Sequence, residues 1–125
     1  MNHHAQQVAE FHKAFDIPIL DSPQVPNQDR VKLRARLVAE ESQEVIEAME
    51  SGNLQHIAKE MADLMIVLQG AALEFGLQHV MDQVMDEVHR SNMSKLGTDG
   101  KPVYRADGKV LKGPNYSEAD LTFIG

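Results

Sequence analysis

Cysteine is absent from the 125 residues, and so is tryptophan. Without a thiol the chain builds no disulfide, no thiolate zinc site and no cysteine nucleophile, a composition that suits a reducing interior. Two tyrosines and four phenylalanines leave few rings to stack on a base. Phe11, Phe15 and Tyr116 are the candidates, although phenylalanine more often belongs to a core. No apolar run approaches the roughly 20 residues that span a bilayer. The opening MNHHAQQ has neither a basic n-region nor an apolar h-region, so no signal peptide is expected and the cytoplasm is the expected compartment. No Gly-x-x-x-x-Gly-Lys loop, EF-hand loop or Ser/His/Asp arrangement can be read from the chain. No Glu has a His three residues later, which disfavours a di-iron carboxylate bundle. His56, His79 and His89 read as scattered surface or structural histidines.

Positive charge is also scarce: 12 Lys and Arg face 19 Asp and Glu, a formal net charge of −7. That balance argues against general affinity for a nucleic-acid polymer. The charge is uneven, however. Lys101, Arg105, Lys109 and Lys112 stand against Asp107 alone, a basic tail beside an acidic body. This distribution suits a phosphate-bearing small molecule, and equally a solvated surface segment.

What remains is rich in helix formers. The length is that of one domain, with a limited core that oligomerisation would help. Val8, Phe11 and Phe15 predict a helix over roughly 5 to 15. Pro18, Pro23 and Pro26 then enforce an extended loop. Residues 28–51 contain neither Gly nor Pro and predict a long helix, with Asn27 or Asp29 as cap and Gly52-Asn53 as stop. A second long helix is expected over 54–75, with Leu54, Ile57, Met61, Leu64, Leu68, Ala72 and Phe75 on one stripe. A third is expected over 77–95. Two Asp-Gly-Lys triplets, at 99–101 and 107–109, signal a loose hairpin or an ordered loop. The expected architecture is all-α: a bundle of about four helices around a central antiparallel hairpin, with an irregular C-terminal extension. Residues 1–95 would form the domain and 96–125 the extension, packed on the same domain or a neighbouring subunit. LMIVLQGAALEF is apolar nearly all round. Either a second subunit covers it, as in a homodimer or homotetramer, or it is the buried centre of a monomer.

Two acidic clusters interrupt the apolar pattern. On the first long helix, Leu33 and Leu37 continue as Glu41, Glu44 and Ala48 along one line. On the second, Glu60 and Asp63 share a face that continues as Ile66, Val67, Gly70 and Ala71. About the Gly52 turn, Glu44 and Glu60 lie at equal distances, as do Glu41 and Asp63, so in an antiparallel hairpin the four carboxylates meet at matched levels. Gathered away from water, they repel one another unless protonated or neutralised by a cation. All-oxygen ligation suits Mg²⁺ or Mn²⁺, which readily take phosphate oxygens as further ligands. The bland alternative is a solvated face, the ordinary setting of acidic residues such as Glu47 and Glu50.

EESQE at 40–44 and EMAD at 60–63, on successive helices, resemble the all-α nucleoside triphosphate pyrophosphohydrolase superfamily. That group includes MazG-like proteins, phosphoribosyl-ATP pyrophosphohydrolases and dimeric all-α dUTPases. The resemblance runs from about Arg30 to Lys95. It implies Mg²⁺-dependent cleavage between the α and β phosphates of a nucleoside triphosphate, giving a monophosphate and pyrophosphate. It implies Glu41, Glu44, Glu60 and Asp63 as metal ligands. Glu40 beside them would activate the attacking water or hold a second metal-bound water. In HRSNMSK, it implies Asn92 and Lys95, and more weakly Arg90, as phosphate or sugar contacts. KVLKGPNY resembles an extension that closes over the site in some members, which would bring Lys109, Lys112 and Tyr116 to the nucleotide. House-cleaning of nucleotides is the expected role. Phosphoribosyl-ATP hydrolysis in histidine biosynthesis and a non-catalytic, metal-binding helical interaction module are the alternatives. No stretch reads out the base or the sugar.

Overall fold

Asparagine opens each of the first three helices. The structure is a computed structural model describing residues 1–125. The side chains of Asn2, Asn27 and Asn53 accept hydrogen bonds from the backbone N–H of Ala5, Arg30 and His56 at 2.8, 3.1 and 3.1 Å. Each cap satisfies a donor that the first helical turn would leave orphaned. The helices are α1 (His3–Ala14), α2 (Gln28–Ser51), α3 (Leu54–Glu74) and α4 (Met81–Met93). A two-residue antiparallel ladder joins β1 (Val103–Tyr104) to β2 (Val110–Leu111), pairing Val103 with Leu111 and Tyr104 with Val110. The chain is all-α, as its periodicity predicts, with the Asp-Gly signal realised as this short hairpin. It divides into two units, Met1–His79 and Val80–Gly125.

In the first unit, α2 and α3 pack antiparallel and α1 lies on α3. The reversal takes two residues, Gly52 and Asn53, with Gly52 at φ 73°, a left-handed conformation that glycine adopts without steric cost. The close of α3 is as specific. Gly76 N–H donates to Leu73 O at 3.3 Å and Leu77 N–H to Ala72 O at 2.8 Å, the paired bonds of a Schellman motif. Gly76 has φ 66°, and a Cβ there would lie 1.9 Å from the Ser22 carbonyl oxygen. The proline loop is laced to this end by Leu20 N–H to Leu73 O and Gln24 N–H to Phe75 O. Gln78 adds a side-chain bond to Leu20 O. This lacing explains why α4 begins at Met81 and not at Leu77. The apolar period continues across Gly76, but residues 77–80 turn while Gln78 anchors the loop.

The buried faces differ from the apolar stripes in two helices. On α1, Val8, Ala9 and His12 are buried, whereas Phe11 and Phe15 are exposed and pack on each other at 4.5 Å between ring centroids. On α3, the inward face carries Glu60, Gly70, Leu73 and Glu74, with Asp63 and Val67 half-buried. Leu54, Met61, Met65 and Leu68 of the opposite stripe remain exposed.

The polar heart of this unit is a buried ionic cluster. Glu74 receives hydrogen bonds from the guanidinium groups of both Arg30 and Arg34. The Arg34 guanidinium and the His12 ring occupy space that only a glycine leaves open, because a Cβ on Gly70 would approach them to 2.9 and 3.0 Å. His12 Nδ1 lies 3.2 Å from Pro18 O, and Nε2 lies 3.4 Å from Arg34 Nη2. A neutral ring donating through Nδ1–H and accepting at Nε2 satisfies both contacts. Burial lowers the His12 pKa below its ordinary 6.5, and nearby Arg34 adds to the effect. Burial alone would raise Glu74, but the Arg30 and Arg34 hydrogen bonds outweigh it and hold the carboxyl below its ordinary range.

Folding therefore excludes a proton that unfolded His12 takes up near pH 6.5. The stability so gained is complete above that pH and is lost as pH falls from there toward the folded value. Glu74 acts lower: its contribution is complete above its ordinary 4.5 and disappears as pH falls through the depressed folded value. The difference in urea midpoint between wild type and His12→Gln is expected to be constant above pH 6.5 and to change progressively below it. A difference independent of pH down to about pH 5 would contradict this reading.

Candidate functional site

Gly52 and the equal rise of two helices bring the acidic clusters to one level. Glu41 of α2 and Glu60 and Asp63 of α3 each offer a carboxylate oxygen, and the three atoms lie within 4.8 Å of one another. Glu60 is buried, with 5% of its surface exposed, while Glu41 and Asp63 are half-buried. Oε2 of Glu41 and Oε2 of Glu60 are fully buried and receive no hydrogen bond. Buried acceptors without a donor are costly, and two of them side by side need positive charge. The donor set, carboxylate oxygens from two rigid helices, fits a hard divalent cation.

The electrostatics agree with the crowding. Burial raises the Glu41 pKa, and the charges of Asp63 and Glu60 raise it further. Glu44 is exposed, and hydrogen bonding toward Glu60 together with the charges of Glu41 and Glu60 raises its pKa. Glu44 thus borders the trio from the solvent side. Glu40 is exposed on α2 outside it.

One cation already touches this group. Lys59 Nζ lies 2.6 Å from Asp63 Oδ2 and 3.5 Å from Glu60 Oε1, with 67% of its side chain exposed. The hydrogen bond to Asp63 raises the lysine pKa. His56 Nδ1 lies 3.9 Å from the same Glu60 oxygen.

The remaining predicted residues fall in the second unit. Arg90 is engaged locally, donating to Glu87 at 2.5 Å and to the Glu118 carbonyl at 2.9 Å. Asn92 and Lys109 are exposed and Lys95 is half-buried. Lys95 O accepts Gly113 N–H at 2.8 Å, which ties the extension to the end of α4. Lys112 Nζ stands 4.6 Å from the Tyr116 ring centroid, a cation–π contact that joins two of the predicted nucleotide contacts.

Sequence reasoning missed Lys59 and the cluster of His12, Arg30, Arg34 and Glu74. A signal existed for Lys59, which stands next to Glu60 and four residues before Asp63, the spacing of neighbours on a helix. Glu74 was visible as the one acid in LMIVLQGAALEF, but nothing in the sequence names partners some 40 residues away.

Facing carboxylates on an antiparallel helical hairpin, in an all-α chain, fit the all-α nucleoside triphosphate pyrophosphohydrolase superfamily that the two acidic motifs resemble. The phosphoribosyl-ATP pyrophosphohydrolase family model matches residues 8–92, more than half of the chain, and the chain belongs to that family. The matched span contains every residue of the carboxylate site and ends before the C-terminal extension. Among solved structures, the chain is similar to a protein from Exiguobacterium sp. 255-15 described as a "putative NTP pyrophosphohydrolase". The two share 25% identity over 94% of this chain and 89% of that one, with a TM-score of 0.35. No curated protein matches the chain.

Proposed function

We propose that the protein is a Mg²⁺-dependent nucleotide pyrophosphohydrolase that cleaves the α–β phosphoanhydride of a nucleoside triphosphate, releasing a monophosphate and pyrophosphate. The observation that carries this reading is the convergence of Glu41, Glu60 and Asp63 around two buried, unpartnered carboxylate oxygens. Glu41, Glu60 and Asp63 would hold the cation, with Glu44 completing the set from the solvent side. Bound there, Mg²⁺ or Mn²⁺ supplies charge neutralisation on the phosphate oxygens and acidifies a water. Glu40, exposed on α2 outside the carboxylate trio, is assigned as the base that accepts the proton of the attacking water, or as the holder of a second metal-bound water. Arg90, Asn92, Lys95, Lys109, Lys112 and Tyr116 are assigned to substrate binding. Of these, Lys112 and Tyr116 are in cation–π contact with each other and would approach the nucleotide together. Residues 96–125 would act as an extension that closes over the nucleotide, in the same subunit or a neighbouring one.

Purified protein incubated with Mg²⁺ and a panel of nucleotides tests the bond. Pyrophosphate and a nucleoside monophosphate are the expected products, and orthophosphate would refute the assignment. Phosphoribosyl-ATP belongs in that panel, because the family match favours it as the second reading. Turnover of that substrate alone would assign the enzyme to histidine biosynthesis in place of nucleotide house-cleaning. Mg²⁺ binding with no turnover of any compound would point to an interaction module.

We further propose a homodimer. Leu54, Met61, Met65 and Leu68 form an exposed stripe on α3 opposite its α2-facing side, and Met65 is 63% exposed. An apolar helix face of this length is ordinarily covered. Sedimentation of the wild type is expected to show a dimer, and Met65→Asp to shift it to monomer. A wild type that sediments as a monomer at micromolar concentration would refute the dimer.

A further inference from the structure

Lys59 has a position that helix stability does not explain. A lysine four residues before an aspartate is the less favourable order of an i,i+4 pair, because it sets the cation toward the helix N-terminus. With 67% of its side chain exposed, the pair is also screened by water and salt. Yet the ammonium sits on oxygens of two of the three converging carboxylates, 2.6 Å from Asp63 and 3.5 Å from Glu60. His56, on the same helix, is the other basic group near Glu60. A divalent cation held by those carboxylates would repel the ammonium. The flexible stem of lysine lets it retreat toward solvent, the side from which phosphate must arrive.

We propose that Lys59 is the resident counter-cation of the carboxylate site. It neutralises Asp63 and Glu60 before a divalent cation binds, yields its place to that cation, and then donates to a phosphate oxygen of the nucleotide. This rests on the metal-site reading above. It assigns Lys59 two effects of opposite sign: it competes with the metal and assists the substrate. No proton transfer is required, since the ammonium stays charged throughout. Asp63 and Glu60 act as the shared seat of both cations, and the lysine supplies charge where the carboxylates alone would repel a polyphosphate.

Full-length wild type, Lys59→Met and Lys59→Arg separate these effects. Mn²⁺ titrated calorimetrically without nucleotide is expected to bind Lys59→Met about two- to five-fold more tightly than wild type, the scale of removing an exposed ion pair. The nucleotide KM of Lys59→Met is expected to rise about ten-fold with a smaller change in kcat, because a charged hydrogen bond to phosphate is lost. Lys59→Arg, which keeps charge and reach, is expected to lie near wild type in both measurements. Unchanged or weaker Mn²⁺ binding by Lys59→Met overturns the proposal, as does an unchanged KM. Absence of Mn²⁺ binding by the wild type itself would instead remove the metal-site reading, and this inference with it.

Discussion

Glu60→Gln is expected to lose pyrophosphate release by at least ~100-fold while the protein stays folded. A metal ligand lost from a three-carboxylate site should cost more than the 10- to 100-fold typical of an outer-shell partner. Glu60 is the most buried of the three and carries one of the two unpartnered oxygens. The amide that replaces it keeps the size of the side chain, so no cavity opens. It also removes one charge from a crowded acidic group and supplies an N–H₂ donor. Metal-free stability should therefore stay level or rise slightly. Wild type should gain stability from Mg²⁺, about 2.7 kcal/mol at a concentration 100 times Kd, and Glu60→Gln should show almost none of that gain. Thermal unfolding with and without Mg²⁺, alongside the product assay, reads both effects. A variant that keeps its activity, or keeps the full Mg²⁺-induced shift, would place the cation elsewhere.

Glu74→Gln is expected to have the largest effect on stability, a loss of about 3–5 kcal/mol. The Glu74 side chain is fully buried, and it is the acceptor for Arg30 and for Arg34, whose own side chain is 8% exposed. Glutamine keeps the shape but not the charge, so one guanidinium is left buried with no counter-ion. His12 cannot replace the carboxylate, because its neutral ring is held by Pro18 and its nearest charged neighbour is Arg34 itself. Urea unfolding measures the loss. Adding Arg34→Met to Glu74→Gln should recover part of it, since the stranded charge is then removed as well. A loss under about 1 kcal/mol in Glu74→Gln, the scale of an exposed pair, would contradict the buried-cluster reading.

The hairpin and the level of its carboxylates were legible because both follow from local chemistry. Asn27, Gly52 and Asn53 mark helix ends by capping and by a positive φ, and a constant rise per residue does the rest. The C-terminal hairpin was legible from its Asp107-Gly108 turn, where Arg105 N–H donates to Lys109 O at 2.8 Å. Periodicity failed where it had to decide which apolar face meets which neighbour. On α1 it offered Val8, Phe11 and Phe15, of which Val8 alone is buried, together with Ala9 and His12. On α3 it offered the stripe through Leu54 and Met61, both of which stay exposed, while the face read through Glu60, Asp63, Val67 and Gly70 turns inward and continues to Leu73 and Glu74. The helix α4 starts late for a related reason: apolar spacing does not reveal that Gln78 is occupied in bonding Leu20 O. Arg34 carried no signal of burial in the sequence, because a charge does not announce a partner from another helix. Glu74 is that partner, and only Gly70 makes the room.

Crystals grown with Mn²⁺ and a non-hydrolysable nucleotide triphosphate analogue, measured at the manganese absorption edge, test the central claim most directly. The account predicts an anomalous peak bounded by carboxylate oxygens of Glu41, Glu60 and Asp63, with analogue phosphate on its open side. Ordered analogue with no peak between α2 and α3, or with the metal held by other residues, would contradict it.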